Sequence, residues 1–166
     1  LRKVYAKAEP WTREVLFFTE QVTGHVIPDF RPALKRGVGA LIEEARAKNT
    51  PFHAALATAM SGVTLLADRY AALVRAKIAS AAPARREQLE EMVRTLEQVR
   101  LGPARSLHEA LQLFILLWQV MCLEQAPNPY AFSVGNADRI FEPYRRGMSR
   151  EDAAALFRHW LVFFNV

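Results

Sequence analysis

The chain has little cysteine: one residue, Cys122, in 166. A single thiol excludes an intrachain disulfide and a zinc site built on cysteine pairs. Its four histidines, His25, His53, His108 and His159, show no metal-ligand spacing. Glycine is sparse at seven residues, and the one close pair, Gly37 and Gly39, lies inside a helical pattern with no strand before it. That setting excludes a phosphate-cradling loop. There is no block of one charge. Lys and Arg number 22 against 17 Asp and Glu, a formal net charge of +5, and the arginines are spread among acidic neighbours. A nucleic-acid module would gather them on one face, and none of its motifs is present. No signal peptide or lipidation motif is visible, so the default location is the cytoplasm.

What is present is hydrophobic, 51% of residues, and enough chain for one domain. The densest apolar stretch is Leu113 to Leu123, preceded by Pro103-Ala104-Arg105-Ser106-Leu107-His108-Glu109-Ala110-Leu111-Gln112. Ser106 and Glu109 have capping-box spacing, in which a hydroxyl and a carboxylate satisfy backbone N–H groups at a helix start. The run behind them has no amphipathic stripe. It is shorter than the ~20 residues a bilayer needs and is flanked by charge, so it reads as a core helix apolar on every side, with no membrane partner.

The rest reads as helices around that one. Residues 1–10 are polar and are expected to be frayed or linking. Trp11 to Val22 has helical spacing. A loop follows from Thr23 to Phe30, with Asp29 placed to cap a helix running to about Lys48 on a Leu34, Val38, Leu41 and Ala45 face. Thr50-Pro51 opens a long Ala-rich helix to about Ser80, carrying a small-residue patch at Ala57, Ser61 and Gly62. Ala82-Pro83 opens another, with Leu89, Met92, Val93, Leu96 and Val99 inward. After the central helix, Ala126-Pro127-Asn128-Pro129 forces a break. Tyr130 to Val134 alternates like a short strand, Gly135 to Asp138 turns, and Arg139 to Arg146 is a short helix interrupted by Pro143. Ser149 caps the last helix, on which Leu156, Trp160 and Phe163 are apolar. The fold class is mainly α, with one strand near 130–134.

Residue chemistry alone names two candidate loops and no reaction. His25 and Asp29 share the first. Tyr130, Ser133, Asn136 and Asp138 share the second, where polar side chains on a loop beside a buried helix can wall a pocket. Cys122 sits in an apolar helix with no histidine at a helical contact position, the setting of an inert thiol.

Four stretches taken together resemble the glycyl radical enzymes, the pyruvate formate-lyase-like superfamily. They are Gly24-His25-Val26-Ile27-Pro28-Asp29-Phe30, the Pro103 to Gln112 segment, Phe132-Ser133-Val134-Gly135-Asn136-Ala137-Asp138, and Glu142-Pro143-Tyr144. The family shows a Gly-His-x-x-Pro-Asp-Tyr loop, a Pro-Ala-Arg-Thr-Phe-His-Glu-Ala-Leu-Gln helix and a Ser-x-Gly-Arg-x-Asp-Gln-Tyr segment, in this order and at similar spacing. The resemblance implies the helical layer of a larger α/β barrel, from its N-terminal half. It implies a parent enzyme, anaerobic, acting on a small organic substrate. There a glycyl radical, installed by a radical SAM activating enzyme, makes a cysteine thiyl that abstracts hydrogen. It implies substrate contacts from His25, Asp29, Tyr130 and Ser133, and homodimeric assembly.

The cysteine loop and the Arg-Val-x-Gly-Tyr-like radical loop are not among these residues. With Leu1 in place of Met and an apolar end at Phe163-Phe164-Asn165-Val166, the sequence reads as part of a longer chain, inactive alone. Two positions depart from the family: Tyr130 stands where His is frequent, and Asn136 where Arg is usual. The expected chemistry therefore widens from diol dehydration to carbon–carbon or carbon–heteroatom cleavage. The alternative from a different class is a stand-alone, non-catalytic helical interaction module.

Overall fold

The computed structural model describes residues 26–124 and 132–163, together with Lys3, Ala6, Lys7, Glu9 and Pro10. Those five are helical and exposed. The helical reading of Trp11 to Val22 lies outside the described residues. The remaining architecture is mainly α: α1 Arg31–Arg36, α2 Val38–Ala47, α3 Pro51–Ile78, α4 Pro83–Val99, α5 Leu107–Glu124, α6 Ala137–Phe141, a 3-10 turn Glu142–Tyr144, and α7 Arg150–Val162.

The single helix expected up to Lys48 is two. Gly37 breaks it with φ +82°, a left-handed conformation that costs glycine nothing. The break lets the backbone lie against the segment leading into α5. A Cβ on Gly37 would sit 2.5 Å from the Gly102 carbonyl carbon and 2.8 Å from Pro103 N. Two backbone bonds staple the contact, Gly39 N–H to Leu101 O at 2.9 Å and Ala104 N–H to Leu34 O at 2.9 Å. Past the break the buried face is Val38, Ile42 and Ala45, with Ile42 in place of the expected Leu41.

α3 and α4 form an antiparallel hairpin. Thr50 caps α3 by accepting from His53 N–H at 3.3 Å, and Pro51 occupies its first turn, where no donor is needed. Ala57, Val63, Ala67, Ala71 and Val74 face Leu89, Val93, Leu96 and Val99 in one core. Met92, expected inward, is 36% exposed. Asp68 pairs with Arg100 at 3.1 Å, and Arg75 pairs with Glu97. These pairs are exposed, and each contributes at most about 1 kcal/mol.

α5 runs through the middle. Ser106 Oγ accepts from Glu109 N–H at 3.3 Å, half of the expected capping box. The other half is displaced by one residue: Glu109 accepts from the Arg105 backbone N–H at 2.7 Å, and its carboxylate also takes the Arg105 guanidinium. Leu107, Leu113, Phe114 and Leu116 have no exposure at all. Phe114 is the hub of an aromatic cluster. Phe30 meets it edge-on at 4.6 Å, Trp160 at 5.4 Å and Phe141 at 5.9 Å. Such edge-to-face pairs add roughly 0.5–1.5 kcal/mol each beyond area burial.

Among the described residues the expected strand is represented by one parallel bridge, Val26 with Phe132. Parallel pairing requires a long crossover. Here the crossover is the helical block α1 to α5. Tyr130 and Ala131 lie outside the described residues. α6 begins at Ala137 rather than Arg139, and Pro143 ends it by opening the 3-10 turn, where its missing N–H is tolerated. Ser149 caps α7 as expected, accepting from Asp152 N–H at 3.0 Å. Of the apolar residues named on the last helix, Trp160 is buried and Leu156 packs partly, whereas Phe163 is 51% exposed.

Candidate functional site

The two loops singled out by sequence lie side by side. Ser133 N–H donates to Val26 O at 3.1 Å across the parallel bridge. Gly135, at φ +77°, fits against Ile27: a Cβ there would be 2.8 Å from Ile27 Cγ2. Each loop is anchored to the core by aromatic residues. Phe30 closes the first and is buried on Phe114. Phe132 and Phe141 flank the second and are buried. α5 reaches the junction through Trp118, whose indole N–H donates to Phe132 O at 3.2 Å.

Asp29 and Ser133 therefore belong to adjacent loops, and both are exposed. Asp29 does not cap α1 from the cap position, which Phe30 occupies. It accepts from Arg31 N–H at 3.1 Å and takes the Arg31 guanidinium with both oxygens, at 2.8 and 2.9 Å. The side-chain hydrogen bond from Arg31 holds its carboxyl below the usual carboxylate range. Asp29 is thus an ionised acceptor: Oδ1 already accepts twice, and Oδ2 keeps a lone pair for a ligand. Ser133 Oγ accepts from Gly135 N–H at 3.1 Å, a contact that leaves its own proton to donate. His25 and Tyr130 lie outside the described residues. Asn136, at the N-cap of α6, makes no side-chain capping bond and is exposed, as is Asp138.

Two of the other histidines make local contacts. His53 Nδ1 lies 2.7 Å from Thr50 Oγ1, and His159 Nδ1 lies 3.1 Å from Ala155 O on the same helix. Among the described residues no group of three or more His, Cys, Asp or Glu is placed to hold a metal ion, and no helix is long and apolar enough to cross a membrane. Burial pushes the Cys122 thiol up, away from the thiolate form a nucleophile needs.

Sequence reasoning missed how the loops are joined. Val26, Ile27, Phe132, Gly135 and Trp118 each look unremarkable in their own windows. The one local signal was Gly135 following a short alternating segment, which marks a turn without naming what it turns against.

A family model described as pyruvate formate lyase-like matches residues 5–166. Among solved structures, the glycerol-bound form of the B12-independent glycerol dehydratase from Clostridium butyricum superposes with a TM-score of 0.71 at 23% identity, over 80% of this chain and 19% of that one. A structure concerned with 1,2-propanediol dehydration in Roseburia inulinivorans gives 0.70 at 24% identity, over 81% and 19%. At such identities the likeness concerns the fold: these helices correspond to a helical portion of that larger fold. The chain spans about a fifth of the length of either structure. No curated protein matches. With the family model covering nearly every residue and the motif order agreeing with it, the chain belongs to the pyruvate formate lyase-like family of glycyl radical enzymes.

Proposed function

We propose that the 166 residues form part of the helical layer of a glycyl radical lyase of the dehydratase type, and that the Val26–Phe132 junction is its contribution to the substrate site. The observation that carries this reading is the juxtaposition of the two loops by a backbone bond, with Asp29 and Ser133 on adjoining segments. An ionised acceptor beside a hydroxyl able to donate is suited to a small substrate rich in hydroxyl groups. His25 and Tyr130 complete the proposed substrate contacts. The glycerol and 1,2-propanediol work on the similar folds supports the same substrate class.

In this family the radical resides on a protein glycine and is relayed through a cysteine. Cys122 does not fit that relay, since it lies half-buried within a continuous apolar helix rather than on either loop. The residues of this chain bind and orient substrate, and the hydrogen abstraction belongs to segments beyond them. The 166 residues are inactive alone. The partners are a radical SAM activating enzyme and a second copy of the parent, in the cytoplasm.

The test is to express the whole reading frame anaerobically with a radical SAM activating enzyme. A glycyl radical signal in electron paramagnetic resonance, with dehydration of 1,2-propanediol or glycerol, is the expected result. Asp29→Asn and Ser133→Ala should raise KM about tenfold each, in line with lost hydrogen bonds to a charged and a neutral group. Absence of any radical signal would overturn the assignment. A radical without diol turnover would move the substrate class to another carbon–carbon or carbon–heteroatom lyase.

A second reading, a non-catalytic helical interaction module, draws on a groove of about 400 Å³ between α3 and the end of α5, lined by Gly62, Leu65, Leu66, Val120 and Leu123 among others. A cooperative thermal transition of the 166 residues as a soluble monomer would favour it.

A further inference from the structure

We infer that Trp118 is a positioning residue for the substrate junction, coupling the core helix to both loops through one indole hydrogen bond. The inference rests on the reading that this junction binds substrate.

Trp118 sits where α5 passes from full burial to partial exposure. Its Nε1–H donates to Phe132 O, and Phe132 is the bridge residue itself. The next backbone N–H along the chain, that of Ser133, donates to Val26 O. A carbonyl fixed by α5 and an amide fixed by the first loop belong to the same peptide unit. That peptide is planar, so the indole sets the orientation of the Ser133 N–H and hence of the whole bridge. Loss of the indole donor would remove the hydrogen bond that α5 makes to the Phe132 carbonyl and leave this peptide held from the Ser133–Val26 side.

Three features make Trp118 a coupling element rather than packing alone. The bond is directional and reaches from helix to loop. The recipient carbonyl neighbours a proposed substrate residue. The first loop meets the second both at the bridge and at Ile27 against Gly135, so a shift of the Phe132–Ser133 peptide is felt at Val26 and Ile27. Phe at this position would keep a ring in the same space and remove only the donor.

The experiment compares Trp118→Phe with the unmodified product of the whole reading frame. Hydrogen exchange of the Ser133 amide should quicken about fivefold, the worth of one neutral hydrogen bond, with exchange in α4 unchanged. In the activated enzyme KM for 1,2-propanediol should rise severalfold, with kcat within about twofold. Unchanged Ser133 exchange, or equal acceleration throughout the molecule, would overturn the proposal. In the unmodified protein the Trp118 indole proton should exchange as slowly as the Ser133 amide. Exchange at the rate of free tryptophan would overturn it even if the variant fails to fold. If Asp29→Asn and Ser133→Ala leave KM untouched while Trp118→Phe still frees the Ser133 amide, Trp118 orders the junction and the substrate reading alone fails.

Discussion

From Leu107 to Leu116, α5 is buried at every position except His108 and Gln112, which are half-buried. From Leu117 to Cys122 every residue is half-buried, and Leu123 is 68% exposed. The composition barely changes between the two halves, since both are dominated by large apolar side chains. Their surroundings change completely. The first half has Phe30, Phe141 and Trp160 on Phe114 and the α4 stripe beside it. The second half faces the groove with α3, where a Cβ on Gly62 would be 3.9 Å from Val120 and Leu65 is 53% exposed. An apolar sequence therefore says that a helix will be covered and leaves open by what. Here the described residues bury the first half and only partly cover the second.

The largest effect should come from breaking the first half. Phe114→Ala opens a cavity at the aromatic hub and should cost about 3–5 kcal/mol in denaturant unfolding, while Leu123→Ala should stay within about 0.5 kcal/mol. Similar losses at the two sites would abolish the contrast. Next is Gly37→Ala. The left-handed backbone and the Gly102–Pro103 contact both oppose a Cβ, so a loss above about 1 kcal/mol is expected, read as a fall in Tm.

The start of α5 gives a smaller and pH-dependent effect. Burial pushes the Glu109 carboxyl up, but the Arg105 hydrogen bonds and charge outweigh it and hold the carboxyl below the usual range. A carboxylate with a depressed folded pKa contributes stability that is present above about pH 4.3 and is lost as the pH falls through the folded value. Glu109→Gln should cost about 1 kcal/mol at neutral pH and flatten the acid limb of a stability–pH curve. An unchanged acid limb would show that the Arg105 contact contributes nothing. The smallest effect on stability should follow Leu65→Lys in the exposed groove, within about 0.5 kcal/mol, with a clear drop in hydrophobic-dye binding.

Much of this architecture was legible locally. Thr50-Pro51, Ala82-Pro83 and Ser149 marked helix starts because caps and first-turn prolines act within a few residues. The core character of α5 was legible because an all-round apolar helix has no other place in water. The break at Gly37 was not, since its cause is the backbone of Leu101 to Pro103, far along the chain. The joining of the two loops escaped for the same reason: a parallel bridge between Val26 and Phe132 leaves no trace in either window. Of the proposed site, Asp29 and Ser133 stood out as loop candidates from residue chemistry, and the family motifs raised them to expected substrate contacts. The Arg31 clamp on Asp29 and the Trp118 bond to Phe132 came only with the structure.

The proposal most open to a direct test is that the half-buried end of α5 is covered by further segments of the larger family fold. Hydrophobic-dye fluorescence tests it most directly, measured on residues 1–166 and on the product of the whole reading frame at equal concentration. The account predicts strong binding by residues 1–166 and its near-complete loss in the whole product. Weak binding by residues 1–166, with a cooperative thermal transition, would contradict it.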